Sequence, residues 1–90
     1  MGKISKNTCS SNRLHGIYIG EGASAVINSN VCNNNSNSGI TMGQKSSGTV
    51  EKNTCNNNKY GFCKYKCSKS KISKKTNHAK ANSEADFDLK

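Results

Sequence analysis

The 90 residues contain no proline, no tryptophan and only two phenylalanines, and 31% of them are hydrophobic. That is too little for the core of large apolar side chains on which an ordinary globular domain of this length relies. Acids are scarce as well: five Asp and Glu stand against fourteen Lys and Arg, a formal net charge of +9. Arg13 is the single arginine, so the bidentate grip expected of a dedicated phosphate reader is missing and nucleic acid is not expected as a partner. No apolar stretch approaches the roughly 20 residues needed to cross a bilayer. Met1-Gly2-Lys3-Ile4 lacks the charged-then-apolar pattern of a secretory leader. Lys6 occupies the position where a myristoylation signal needs Ser or Thr. Asn and Ser dominate what remains, and bulk composition of this kind suits a disordered chain.

A repeat argues otherwise. Blocks begin at Ile4, Ile27, Val50 and Ile72, spaced by 23, 23 and 22 residues. Each of the first three continues with an Asn (Asn7, Asn30, Asn53), a Cys (Cys9, Cys32, Cys55) and a second Asn (Asn12, Asn35, Asn58). A Gly followed by an apolar residue closes the pattern: Gly16-Ile17, Gly39-Ile40, Gly61-Phe62. The third block is one residue shorter before its Gly, in a polar stretch that tolerates deletion. Chance Asn richness would not hold Cys, Gly and an aliphatic position in register.

Within a block the apolar period is 2, as in Ile17-Tyr18-Ile19 and Ile40-Thr41-Met42, and no helical period persists. Gly20-Glu21-Gly22 and Gly43-Gln44-Lys45 are turn signals. Each block therefore reads as three short strands joined by bends, one coil of a solenoid rising about 4.8 Å per coil. Equivalent residues then stack: Ile4, Ile27, Val50 and Ile72 in one inward row, Ile17, Ile40 and Phe62 in another, and the three cysteines in a third. Asn7, Asn30 and Asn53 are expected to form a ladder of amides and to take the left-handed bend. Gly16, Gly39 and Gly61 fit positions needing positive φ or close backbone approach.

The pattern Ile-x-x-Asn-x-Cys-x-x-Asn followed by Gly-Ile resembles the right-handed parallel β-helix repeat of pectate-lyase-like proteins. It is similar, more closely, to the carbohydrate-binding and sugar-hydrolase repeats of polysaccharide lyases and epimerases, periplasmic copper-system accessory proteins and F-box-type substrate receptors. The resemblance covers residues 4–71. It implies an all-β, single-stranded right-handed parallel β-helix of about three coils over residues 1–76. Residues 77–90 are expected to form a degenerate coil or disordered tail, with Lys75 and Asn77 where the ladder Asn and Cys should fall.

The shared positions are structural, so function must be sought in the others. Glu21, Glu51, Glu84, Asp86 and Asp88 do not stack on one strand, and the outward positions Tyr18, Thr41 and Cys63 include no carboxylate. No catalytic residue is assigned. Cys63 and Cys67 with His15 or His78 make a poor zinc set, lacking a Cys-x-x-Cys pair, and neither metal nor cofactor is expected. Cys63 and Cys67 are the thiols expected to react. An outer sheet suits an extended ligand, and the expected ligand face is Tyr18, Thr41, Lys64, Tyr65 and Lys66. The expected function is a non-enzymatic module for protein or carbohydrate interaction, part or relative of a longer β-helix. A remnant of a polysaccharide lyase or epimerase is the alternative. Polyanion binding by the lysines between Lys59 and Lys80 is the weaker one, since such lysines also serve as solvated edge charge. Uncapped ends suggest end-to-end self-association or docking on a longer β-helix. The odd count of five cysteines, three of them in phase with the repeat, fits a reducing compartment for a full-length chain. A fragment would fit an extracellular or periplasmic protein equally.

Overall fold

Residues that alternate apolar and polar over three to five positions, with bends between them, can bury a stripe only by stacking on a copy of themselves. The computed structural model, which describes residues 2–89, does this with ten strands. In chain order they are β1 (Gly2–Ser5), β2 (Ile17–Ile19), β3 (Ser24–Asn28), β4 (Ser38–Met42) and β5 (Ser47–Glu51). They continue as β6 (Thr54–Asn56), β7 (Tyr60–Lys64), β8 (Lys69–Ile72), β9 (His78–Lys80) and β10 (Ala85–Leu89). They form three parallel columns. One sheet runs β1-β3-β5-β8, a second β2-β4-β7-β10, and the third pairs β6 with β9, extended by bridges from Thr8 to Val31 and from Val31 to Thr54. The register follows the repeat: Ile4 pairs Ile27, Ile27 pairs Val50 and Val50 pairs Ile72. In the second sheet Ile17, Ile40, Phe62 and Phe87 form one row. The core is these rows with the cysteine column; Ile27, Ile40, Met42, Val50 and Phe62 are fully buried.

The chain makes a fourth coil where a degenerate stretch or tail is expected. Two extra residues, Lys74 and Lys75, lie between Ile72 and the ladder position, which Asn77 fills instead of Lys75. Asn77 Oδ1 accepts from the Asn53 backbone N–H at 2.9 Å and from Asn53 Nδ2 at 3.1 Å. Beyond the insertion the repeat spacing is intact. Ala79 stacks on Cys55, Asn82 on Asn58, and Phe87 on Phe62 with ring centroids 5.1 Å apart.

Each bend leaves backbone groups inside that no strand pairing reaches, and the Asn ladder satisfies them. Asn30 Oδ1 accepts from the Asn7 backbone N–H at 3.0 Å and from Asn7 Nδ2 at 3.1 Å. Asn30 Nδ2 in turn donates to Asn53 Oδ1 at 3.0 Å, Ile4 O at 3.0 Å and Asn28 O at 3.2 Å. Asn12, Asn35, Asn58 and Asn82 form a second ladder at the next bend, with Asn35 Nδ2 to Asn58 Oδ1 at 3.0 Å. The ladder asparagines do not take the left-handed bend themselves. Lys6, Ser29 and Lys52, one residue earlier, have φ of 57°, 61° and 56°. The bend needs a left-handed residue and the ladder an inward amide, and one residue cannot supply both.

The repeat glycines serve close approach. A Cβ on Gly39 would lie 2.7 Å from the Cys55 Cβ and 2.8 Å from the Gly61 carbonyl oxygen of the next coil. Gly48, outside the repeat pattern, has φ 136° and room for no side chain, since a Cβ there would fall 1.8 Å from Ala25 O.

Stability should therefore depend on ladder position. Asn53→Ala orphans buried partners on three coils and should cost about 2–4 kcal/mol, on the order of 10–30 °C in Tm. Asn7→Ala, at the exposed end, should cost under about 1 kcal/mol. Equal losses in thermal melts followed by circular dichroism would show that the ladder does not hold the coils together.

Candidate ligand face

Along the second sheet the outward row runs Tyr18, Thr41, Cys63, Asp88. Two small side chains between a tyrosine and a carboxylate leave a dent, and neighbouring rows wall it. The position before the repeat Gly supplies His15, Ser38 and Tyr60 in successive coils, and Tyr65 follows β7. His15, Thr41, Tyr60, Tyr65, Cys63 and Asp88, with Asn37 and Ser38, line a pocket of about 170 Å³. Beside it, Leu14, His15, Tyr18 and Tyr65 line a shallower cleft of about 450 Å³.

His15 joins the two spaces. Its ring stacks on Tyr18 with centroids 5.2 Å apart and planes at 22°, and its Nδ1 lies 3.1 Å from Thr41 Oγ1. Burial pushes its pKa below the usual imidazole value, so the neutral ring is favoured at neutral pH. At the other end the Cys63 thiol faces the Asp88 carboxylate, Sγ to Oδ2 at 3.9 Å. Tyr18 is 51% exposed and Leu14 63%, an apolar and aromatic rim on an otherwise polar surface.

The expected ligand face is brought together only in part. Tyr18 and Tyr65 meet at the cleft. Thr41 is fully buried and serves as floor beneath His15. Lys64 falls in the row of Ile19, Met42 and Leu89, a row otherwise aliphatic, and is half-buried. Lys66 stands exposed in the following turn. Leu14, His15, Tyr60 and Asp88 complete the site without having been assigned to it. Asp88 was legible by counting four residues from Asn82 to the Gly position, filled by Asp86, and two more to the Tyr18 row. The outward row therefore does end in a carboxylate once the fourth coil is in place.

The lysines between Lys59 and Lys80 do not share one face. Lys64 is on β7, Lys69 and Lys71 on β8 and Lys80 on β9, in three different sheets. Lys59 Nζ lies 5.7 Å from the Tyr60 ring centroid and Lys74 Nζ 6.0 Å from that of Phe87. Among the described residues no three His, Cys, Asp or Glu are grouped closely enough to hold a metal ion. The column thiols are set by their surroundings. Burial pushes Cys55 and Cys9 up, whereas a hydrogen bond from Cys55 draws Cys32 down against burial. The column packs as small apolar side chains within the core. Among the described residues no helix is long and apolar enough to cross a membrane.

A coiled chain of parallel sheets with ladders at its bends defines a β-solenoid. The family model described as the right handed beta helix region matches residues 1–88. The chain belongs to that family. Comparison with curated proteins and with solved structures returns no match.

The lowered His15 pKa has a testable sign. The unfolded chain, with an ordinary imidazole, takes up a proton before the folded one does. The neutral-His15 contribution is therefore complete above about pH 6.5 and is lost as pH falls through the depressed folded value. The Tm should fall from pH 7 to pH 5, and His15→Gln should flatten part of that fall. An NMR titration placing the His15 midpoint at or above the free imidazole value would contradict this.

Proposed function

We propose that the chain is a non-enzymatic β-helix module that binds a carbohydrate segment along the cleft between Tyr18 and Tyr65. The observation that carries this is the pairing of an aromatic and aliphatic wall with an adjoining polar pocket. Leu14, Tyr18 and Tyr65 offer apolar faces, while Thr41, Tyr60 and Asp88 line the pocket beside them. A sugar ring has the matching duality, with C–H faces that pack on aromatic rings and a hydroxyl rim that needs donors and acceptors. The sheet beneath is continuous over four coils, so the ligand meets a preformed surface.

Turnover is not part of the proposal. Glycoside hydrolysis generally uses two carboxylates flanking the bond, and among the described residues Asp88 is the one carboxylate lining the pocket. The spread of lysines over three sheets favours contacts that depend little on salt over a polyanion track.

Calorimetry against a panel of neutral and acidic oligosaccharides, at two salt concentrations, tests this. Tyr18→Ala and Tyr65→Ala should each weaken binding on the order of tenfold, near 1.4 kcal/mol, with little salt dependence. A steep loss of affinity with salt that survives both substitutions would move the site to the lysines. Release of reducing ends or unsaturated sugars would refute the non-enzymatic reading.

A further inference from the structure

The two ends of the solenoid differ in chemistry, and the difference lies in the Gly row. In coils one to three that row is Gly16, Gly39 and Gly61, and a side chain at any of them would strike the coil that follows. A Cβ on Gly16 would lie 2.7 Å from Gly39 O and 2.8 Å from the Cys32 Cβ. One on Gly61 would lie within 3.0 Å of Asp86 O, Asn82 Nδ2 and the Ala79 Cβ. The fourth member of the row is Asp86, since Ala85 pairs Tyr60 and Phe87 pairs Phe62 on either side of it. Its Cβ occupies the space that the backbone of a fifth coil would need. Its carboxylate Oδ1 accepts from Asn82 Nδ2 at 2.9 Å, the amide that would otherwise donate onward along the second ladder. The inserted Lys74 adds to the closure, its Nζ lying 6.0 Å from the Phe87 ring centroid.

The first coil has the opposite character. The ladders run one way, each coil donating to the Oδ1 of the next. Within the described residues Asn7 Oδ1 and Asn12 Oδ1 accept nothing, so both ladders begin with open acceptors at one bend each. β1 and β2 are edge strands, and Ile4 and Cys9, half-buried, continue rows that are fully buried at Ile27 and Cys32. Two such faces would set acceptor against acceptor at both ladders, which therefore could not continue across the contact. Another copy's last coil is barred by Asp86, and it would also bring Lys71 into the row of Lys3.

We propose that Asp86 is a stop residue that closes one end of the solenoid, and that a further parallel coil can stack against the first coil only with glycine in the Asp86 row. Such a coil supplies the ladder amides that Asn7 and Asn12 lack, parallel strands for β1 and β2, and apolar cover for Ile4 and Cys9.

Sedimentation velocity on designed pairs tests both halves, at an ionic strength that screens Lys71 from Lys3. The wild-type chain should stay monomeric as its concentration rises. Asp86→Gly should form chains whose mass grows with concentration, and Asp86→Ala, which keeps the Cβ, should not. The double variant Asp86→Gly, Ile4→Lys has an open last coil and a charged first coil; mixed with wild type it should give a 1:1 dimer and nothing larger. Wild-type self-association that Ile4→Lys abolishes would overturn the proposal, and needs no variant with an altered last coil. So would equal association of the Asp86→Ala and Asp86→Gly variants, or a folded Asp86→Gly chain that neither associates nor binds wild type.

Discussion

The structure depends on the hydrogen bond between one asparagine amide and the same amide a coil away. Strand pairing alone fixes the spacing of the coils but leaves the bends unsatisfied, and a chain that is only 31% hydrophobic cannot hide those bends under a thick core. The ladder lets the interior be polar at its corners. In the first ladder each buried Oδ1 receives two donors and each buried Nδ2 reaches carbonyls on its own coil and the one before, as at Asn53. A carboxylate in that position would have no protons to give. A longer amide would lose more rotamer freedom on ordering. The small apolar supply can then be spent on the stacked rows, where every aliphatic residue meets its equivalent at the strand spacing.

This division of labour explains what could be read from the sequence. Rows built from like residues announce themselves: Ile4, Ile27 and Val50, the three cysteines and both Asn sets are visible as a period. The left-handed bends before the first ladder are not, because Lys6, Ser29 and Lys52 hold them without a glycine or asparagine to mark the place. Isolated left-handed residues of this kind cost about 1–2 kcal/mol each, and the ladder bonds on the next residue offset that cost. The fourth coil was hidden by two inserted lysines, which move Asn77 out of step with Ile72 while leaving everything after it in step. A fixed period read forward from Ile72 lands on Lys75; read backward from Phe87 it finds Asn82 and Asn77.

The candidate site was legible at Tyr18, Thr41 and Tyr65 but not at Leu14, His15, Tyr60 or Asp88, for a reason that applies to solenoids generally. Identical rows make a flat wall, and a pocket forms where a row changes size. Tyr18, Thr41, Cys63 and Asp88 share a row and nothing else. His15, Ser38 and Tyr60 precede the repeat Gly with three unlike side chains. The dent between them is a property of the differences, which a search for sameness discards. Thr41 looks outward by alternation and is nonetheless buried, because the neighbouring row places His15 over it.

The same contrast between sameness and difference governs the ends. A solenoid whose coils were all alike would add copies of itself without limit, since the last coil would offer what the first one needs. One-dimensional growth stops when a single position breaks the row that stacking requires. The Gly row is a sensitive place for that break, because a Cβ there points at the coil that follows and even a methyl group has no room. Placing Asp there excludes the next coil sterically and satisfies the last ladder amide with the same side chain. A lysine or glutamate on an edge strand would discourage pairing by charge alone, which salt screens. A Cβ in the path of a backbone carbonyl is not screened.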